Sequence, residues 1–407
     1  MPAVYPKLLT SQDYGAPTLP ATAGSLIGVL DACLKDGYGS RPIGAVTVSG
    51  TTAQANVGTG HGLLAGQVIL IAGANESQHN GEFKIAAIGQ NTVTYTVPAG
   101  TPSPATGTIT FKMAPLGWNK VFSGTNKAVY RTAATSNTVG LYLRVDDNPT
   151  ALGFANRVAQ VTAYELMTDV DTGFYAVPRP TQNTLNWPKS DNNTGTNGGV
   201  RNWAIYGDDR FFYFWVNPSQ QQSVSMNGLT VGFGDLDAPQ SIDAYGAMLT
   251  GYNYDSTQSA SVGGGDLAYS IASPMTAYCP RPPNGIGTPQ ALYHLAPGVV
   301  SGSVSGNIAG LGIAWPDATT GGFFLNNVLC TDGKGFRGWL PGMHHIIQAL
   351  PLGNATTAVI QHLGQIDGMR NLLGRKLGFM SSGAPQVATY IGSGYFFDLT
   401  GPIRNYN

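Results

Sequence analysis

The chain has 407 residues, 42% of them hydrophobic and only 11% charged, less than half the share usual in a globular protein. A formal net charge of −1 and the lack of any Lys/Arg run exclude the electrostatic footprint of a nucleic-acid or anionic-membrane binder. No apolar run approaches the roughly 18 residues of a membrane-spanning helix, and polarity comes from Thr, Ser, Asn, Gln and 55 glycines, with 26 prolines, as in turn-rich all-β chains.

The start, Met1-Pro-Ala-Val-Tyr-Pro-Lys7, lacks the charged-then-apolar pattern of a signal peptide, so synthesis and folding in a cytoplasm are expected. Leu26, Val29, Leu30, Cys33 and Leu34 then recur at helical spacing, with Ser25 placed to cap the start and Gly37 to close the end. Cys33 lies on that apolar stripe. Cys279 and Cys330 are distant from it and from each other in sequence, in no metal-like spacing, so three buried free thiols are expected rather than a disulfide framework.

From Gly44 to Lys112 short β-type runs follow one another: 45–49, 67–72, 82–86, 92–97 and 108–112. Gly-His-Gly at 60–62, Asn80-Gly81 and the Pro-rich stretch 99–107 separate them. Val93, Tyr95 and Val97 alternate with Thr92, Thr94 and Thr96, the period of a half-buried strand. Loop-like flanks at Ser40–Ile43 and Ala114–Gly117 make residues 44–112 read as a β-module inserted into a host domain.

The host resumes at Gly117-Trp-Asn-Lys-Val-Phe122, with strands expected at 127–131, 140–146 and 158–166. The polar stretch Asn186–Gly199 reads as an exposed loop. Trp203–Tyr206 and Arg210–Val216 are expected to form a hairpin around Gly207-Asp208-Asp209. The wholly aromatic run Phe211–Trp215 implies a strand covered on both faces. Further β-runs lie at 229–232, 308–315, 322–329 and 390–399. The fold class expected is all-β, a β-sandwich-type multidomain protein with one N-terminal helix. Residues 1–43 and 113–280 form the main domain, 44–112 the inserted module, and 281–407 a C-terminal β-region packed on the main domain.

Catalytic motifs are absent: there is no G-x-S-x-G, P-loop, H-E-x-x-H or C-x-x-C. The three glutamates are Glu76, Glu82 and Glu165, two of them in the module. The vicinal pairs Asp146-Asp147 and Asp208-Asp209 sit in expected turns, not facing each other across a cleft as glycoside hydrolysis requires. Asp169-Val-Asp171-Thr-Gly173 begins like a calcium loop, but Pro180 stands where the bidentate Glu belongs, which favours an Asx turn. His344-His345 would point to opposite faces of a strand. Gly263-Gly-Gly-Asp266 lacks the strand-then-helix context of a phosphate loop, and Asn192-Asn-Thr194 is a glycosylation sequon without a secretory signal. Trp187 and Tyr252, as surface aromatics, offer stacking faces for sugars. Trp118, Trp203 and Trp215 read as core, Gly234 as a tight turn capped by Asp235, and Arg131 and Arg210 as partners of nearby carboxylates. No catalytic, cofactor-binding or metal-ligating residue is assigned, and no cofactor is expected.

An ordered set of segments resembles virion structural proteins of tailed bacteriophages. It comprises Leu34-Lys-Asp-Gly-Tyr-Gly39, Gly117-Trp-Asn-Lys-Val-Phe-Ser-Gly-Thr-Asn-Lys-Ala-Val-Tyr-Arg131 and Trp203-Ala-Ile-Tyr-Gly-Asp-Asp-Arg-Phe-Phe-Tyr213. Phe233-Gly-Asp235, Asp243-Ala-Tyr245, Leu340-Pro-Gly-Met-His344, Gly374-Arg-Lys376 and Phe397-Asp-Leu-Thr-Gly-Pro402 complete it. The set spans nearly the whole chain outside 44–112, and its specificity lies in the order. The resemblance implies a non-enzymatic building block of a tail, tail tip or baseplate. The expected partners are other phage tail or baseplate proteins and copies of the same chain, as a trimer or hexamer, with no nucleic acid and no membrane insertion. Two further readings are a receptor-binding adhesin contacting a glycan or pilus on the host surface, and a capsid decoration protein.

Overall fold

Alternation along the aromatic run decides the architecture. In the computed structural model the strand Phe211–Val216 is buried at every position. Phe212, Phe214 and Val216 enter one hydrophobic core, while Phe211, Tyr213 and Trp215 enter another. A strand with two apolar faces must be covered twice, and this one lies in the middle of a seven-stranded antiparallel central sheet that is. The strand order is Lys7–Thr10, Trp203–Gly207, Phe211–Val216, Leu229–Asp235, Ala247–Thr250, Ala277–Cys279 and Gln290–Ala291. The structure describes residues 5–132, 138–148, 157–179, 185–190, 199–217, 228–238, 243–253, 277–294, 319, 324–346, 362–368, 372–382 and 393–404.

One face of the central sheet meets a second antiparallel sheet. Its order is Tyr252–Asn253, Leu185–Pro188, Val158–Met167, Tyr142–Asp146, Lys127–Thr132 and Trp118–Gly124, with Gly173–Val177 paired to the far half of Val158–Met167. Leu143, Val145, Val161, Ala163 and Trp187 supply the facing side chains. The other face meets a six-stranded sheet from the C-terminal region, which includes Leu325–Thr331, Phe336–Ile346, Lys376–Ser382 and Ser393–Asp398. Met343, Met380, Tyr395 and Phe397 pack there against Tyr206 and Tyr213. The described chain is all-β apart from short helical turns, built as stacked antiparallel layers.

Residues 38–113 form a further seven-stranded sheet, in the order Tyr38–Pro42, Gly107–Met113, Val68–Ala74, Gly81–Ile88, Thr92–Thr96, Thr52–Asn56 and Ala45–Ser49. The expected loop at Ser40–Ile43 is therefore mostly strand: Arg41 and Pro42 pair with Phe111 and Thr110. The side chains of this sheet join the same core as the helix and the second sheet.

The N-terminal helix runs over Ser25–Leu30 and widens into a π-helical turn at Asp31–Asp36. Its cap corrects the sequence reading. Ser25 Oγ donates backward to the carbonyls of Pro20 and Thr22, at 2.7 and 2.8 Å. The first amides of the helix, those of Leu26 and Ile27, instead donate to Asp147 Oδ2 at 2.8 and 3.3 Å. Gly37 does end the turn with positive φ, where a Cβ would meet the Met113 carbonyl at 2.4 Å.

Other expectations are also revised. The supposed exposed loop from Asn186 begins as the fully buried strand Leu185–Pro188, continued by buried Lys189 and Ser190. Lys189 donates to Asp147 and the Thr22 carbonyl and Ser190 accepts from Arg201, while Asn186 Oδ1 is left without a partner among the described residues, so composition misled. Gly234 lies within a strand rather than at a turn, with φ +134, and a Cβ there would run into the backbone of Arg210. The run 308–315, Gly263–Asp266 and Asn192–Thr194 lie outside the described residues.

Candidate functional site

The chemistry-bearing residues are best followed outward from the hairpin turn at Asp208. Asp208 Oδ1 accepts from the amides of Arg210 and Phe211 at 2.9 and 2.8 Å, closing the turn. Its other oxygen receives Arg404 Nε at 2.8 Å, and the same guanidinium donates to the Asp235 carbonyl at 2.9 Å. Burial pushes the Asp208 carboxyl up, but the charge and hydrogen bonds of Arg404, with the two amides, outweigh it and hold it below its ordinary value. Trp118 Nε1 donates to the Asp208 carbonyl at 3.0 Å. Asp208 is thus a structural hub joining the hairpin turn, Arg404 and Trp118.

The same pattern repeats elsewhere. Arg337, 1% exposed, donates to Asp243, Asp332, the Cys279 sulfur and the carbonyls of Tyr245 and Arg281. Tyr206 and Tyr213 donate to the carbonyls of Asp398 and Pro341, at 2.6 and 3.1 Å. Asp147, expected in an open turn, is fully buried and paired with the equally buried Lys189. Burial raises its pKa against the lowering effect of Lys189, and burial likewise lowers the pKa of Lys189.

The remaining sequence candidates are dispersed. Glu82 pairs with Lys7 at 2.7 Å, Glu165 with Arg281 at 2.7 Å, and Glu76 accepts from Thr106. Asp169 accepts from the amides of Asp171 and Thr172 at 2.7 and 2.8 Å, an Asx turn. Arg131 binds the Gly140 carbonyl and the Tyr142 hydroxyl, where a carboxylate was expected. Trp187 is fully buried with its Nε1 on the Thr250 carbonyl at 2.7 Å, so it offers no sugar a face, and Tyr252 is half-buried against the core. Trp118, Trp203 and Trp215 are core residues. All three cysteines are buried and free. His344 and His345 are both buried in the strand Phe336–Ile346, and burial takes His344 down to about 4. Among the described residues no group of three His, Cys, Asp or Glu is placed to hold a metal ion, and no helix is long and apolar enough to cross a membrane.

What no motif announced is a cavity of about 460 Å³. It opens where the edge strand Lys7–Thr10, the Leu64–Gln67 loop of the 38–113 sheet, the start of Trp203–Gly207, and the turn His362–Gln365 come together. Leu8, Trp203, Trp215 and Leu399 are among its apolar walls; Asn202, Gln12, His362 and Gln365 are among its polar ones. Asn202 Oδ1 accepts from Ser11 and Gln12, at 3.3 and 3.1 Å. Asp13 is held by Thr10, Tyr38 and Gln67. His362 stacks on Trp215 with ring centroids 4.0 Å apart, and burial lowers its pKa to about 3.

The fold and these sites define a class, an all-β protein of stacked antiparallel sheets locked by buried ion pairs. A scan against protein-family models finds no match, and a search of curated proteins finds no relative.

Proposed function

We propose that this protein is a non-catalytic structural component of a tailed-phage virion, in the tail, tail tip or baseplate, acting through contacts with its own copies and with other tail proteins. One observation supports the reading: the segments that resemble phage virion proteins pack on one another. Trp118 of the second segment reaches the Asp208 turn of the third. Tyr206 and Tyr213 of that segment reach Asp398 and Pro341 of the last ones. Arg337 ties down Asp243 and Tyr245. A residue set that mostly builds a framework, with Trp203 and Leu399 also reaching the cavity wall, fits a building block better than an enzyme. Low surface charge also reduces the desolvation cost of broad permanent interfaces.

The test is immunogold labelling of purified particles together with native mass spectrometry of the purified chain. Label at the tail end and a trimer or hexamer are expected. A monomer in solution with label on the head, or on no particle, sinks the proposal. A second reading, a receptor-binding adhesin, draws on the open cavity; it requires the isolated protein to bind cells of the bacterium in which the particles multiply.

A further inference from the structure

The 460 Å³ cavity lies within the size range of small-molecule sites, which runs from roughly 300 to 1,000 Å³. Its walls come from five stretches distant in sequence, 6–13, 64–67, 202–215, 362–365 and Leu399, so its shape exists only in the finished fold. We propose that it binds an uncharged small molecule with an apolar body and an oxygen acceptor. This inference is independent of the virion reading.

Charge sets the first limit. Among the described residues no Lys or Arg lines the cavity, which leaves an anionic ligand without a partner. The one carboxylate among the described lining residues, Asp13, already accepts from the Thr10 amide, the Tyr38 hydroxyl and Gln67 Nε2, which leaves little for a cation. Apolar side chains set the second limit: Leu8, Leu64, Leu363 and Leu399 offer contact area to a hydrophobic body.

The polar anchor is His362. The Ser381 amide donates to its Nδ1 at 3.2 Å, so Nδ1 is an acceptor and the neutral ring carries its proton on Nε2. Nε2 is buried and has no hydrogen-bond partner among the described residues. An unmet buried donor is destabilising, and an acceptor brought in by a ligand would recover that cost. At the same cavity the exposed carboxamide of Gln365 makes no hydrogen bond among the described residues, leaving a second polar contact open.

Prodan, a neutral naphthalene with one ketone, is the probe. Its emission shifts to the blue in apolar surroundings. Saturable binding at one site per chain is expected. Leu64 is 53% exposed, so Leu64→Trp should fold normally while filling the opening, and binding should be abolished. His362→Phe keeps a ring on Trp215 but removes the donor, and should weaken binding about three- to tenfold, the worth of one hydrogen bond. Should that variant fail to fold, the Nε2–H resonance of histidine-labelled wild type gives the same readout, and should move on addition of prodan. Equal binding by wild type and Leu64→Trp, an unmoved Nε2–H resonance, or no saturable binding of prodan overturns the proposal. Binding of neutral monosaccharides that prodan does not displace overturns the assignment of an apolar body.

Discussion

At the scale of single residues, buried charges are spent on joining distant parts of the chain. Arg404 and Asp208 are both almost fully buried, and removing one partner strands the other. Arg404→Ala should therefore cost about 3–5 kcal/mol, read as a lower urea midpoint at unchanged slope; an unchanged midpoint would mean that the pair adds nothing. The histidines give a pH signature. Burial lowers His344 to about 4 and His362 to about 3, whereas the unfolded chain titrates near 6.5. The unfolded state thus binds more protons below 6.5. Stability is full above that value and falls as pH drops toward 4 and then 3, by about 1.4 kcal/mol per pH unit for each histidine once the unfolded form is protonated. Urea titrations between about pH 7 and 5 should show this decline, and His362→Phe should remove roughly half of it. Little of this was legible in advance. His344-His345 stood out as a dipeptide, but nothing near His362 marks a cavity, because the other walls are contributed by Leu8, Leu64, Asn202 and Leu399.

At the scale of elements, what sequence reveals depends on which side chains carry the pattern. Thr92–Thr96 alternates threonine with large apolar residues and was readable. Thr52–Asn56 alternates as strictly, yet its inward residues are Ala53 and Ala55, too small to signal a strand. Leu185–Pro188 is buried on both faces and shows no alternation at all. The helix stripe was visible, but its cap was not, since Asp147 arrives from 121 residues away. Glycine separates strain from crowding. At Gly50 φ is +62 with no described atom within 4 Å of a Cβ, so Gly50→Ala should cost only about 1–2 kcal/mol. At Gly234, φ +134 combines with a Cβ 2.1 Å from the Arg210 carbonyl, and Gly234→Ala should cost more, about 2–4 kcal/mol. Thermal melts of the two variants side by side check the order; equal shifts would remove the steric account.

At the scale of the whole molecule, the central sheet is an interior layer. The double burial of Phe211–Val216 followed from composition, because six consecutive apolar residues cannot leave a face in water. Which segments do the covering did not, since sheet order is set by long-range pairing that no local pattern encodes. The C-terminal sheet hides Tyr206, Tyr213 and Trp215, whose Nε1 donates to the Ser381 carbonyl at 2.7 Å. A fragment ending at residue 290 should therefore aggregate, or bind a dye such as ANS strongly, where the full chain does neither. A soluble fragment that leaves the dye dark would contradict the layered arrangement.

That covering has a consequence in time. Ribosomes build Phe211–Val216 well before Leu325–Thr331, and at about 5–20 residues per second the interval is on the order of ten seconds. Throughout it, an aromatic wall stands uncovered on every nascent chain, and neighbouring chains on one messenger carry the same wall. Yield in the cell should then depend on how quickly translation finishes and on chaperones that shield the face meanwhile, rather than on the stability of the finished protein.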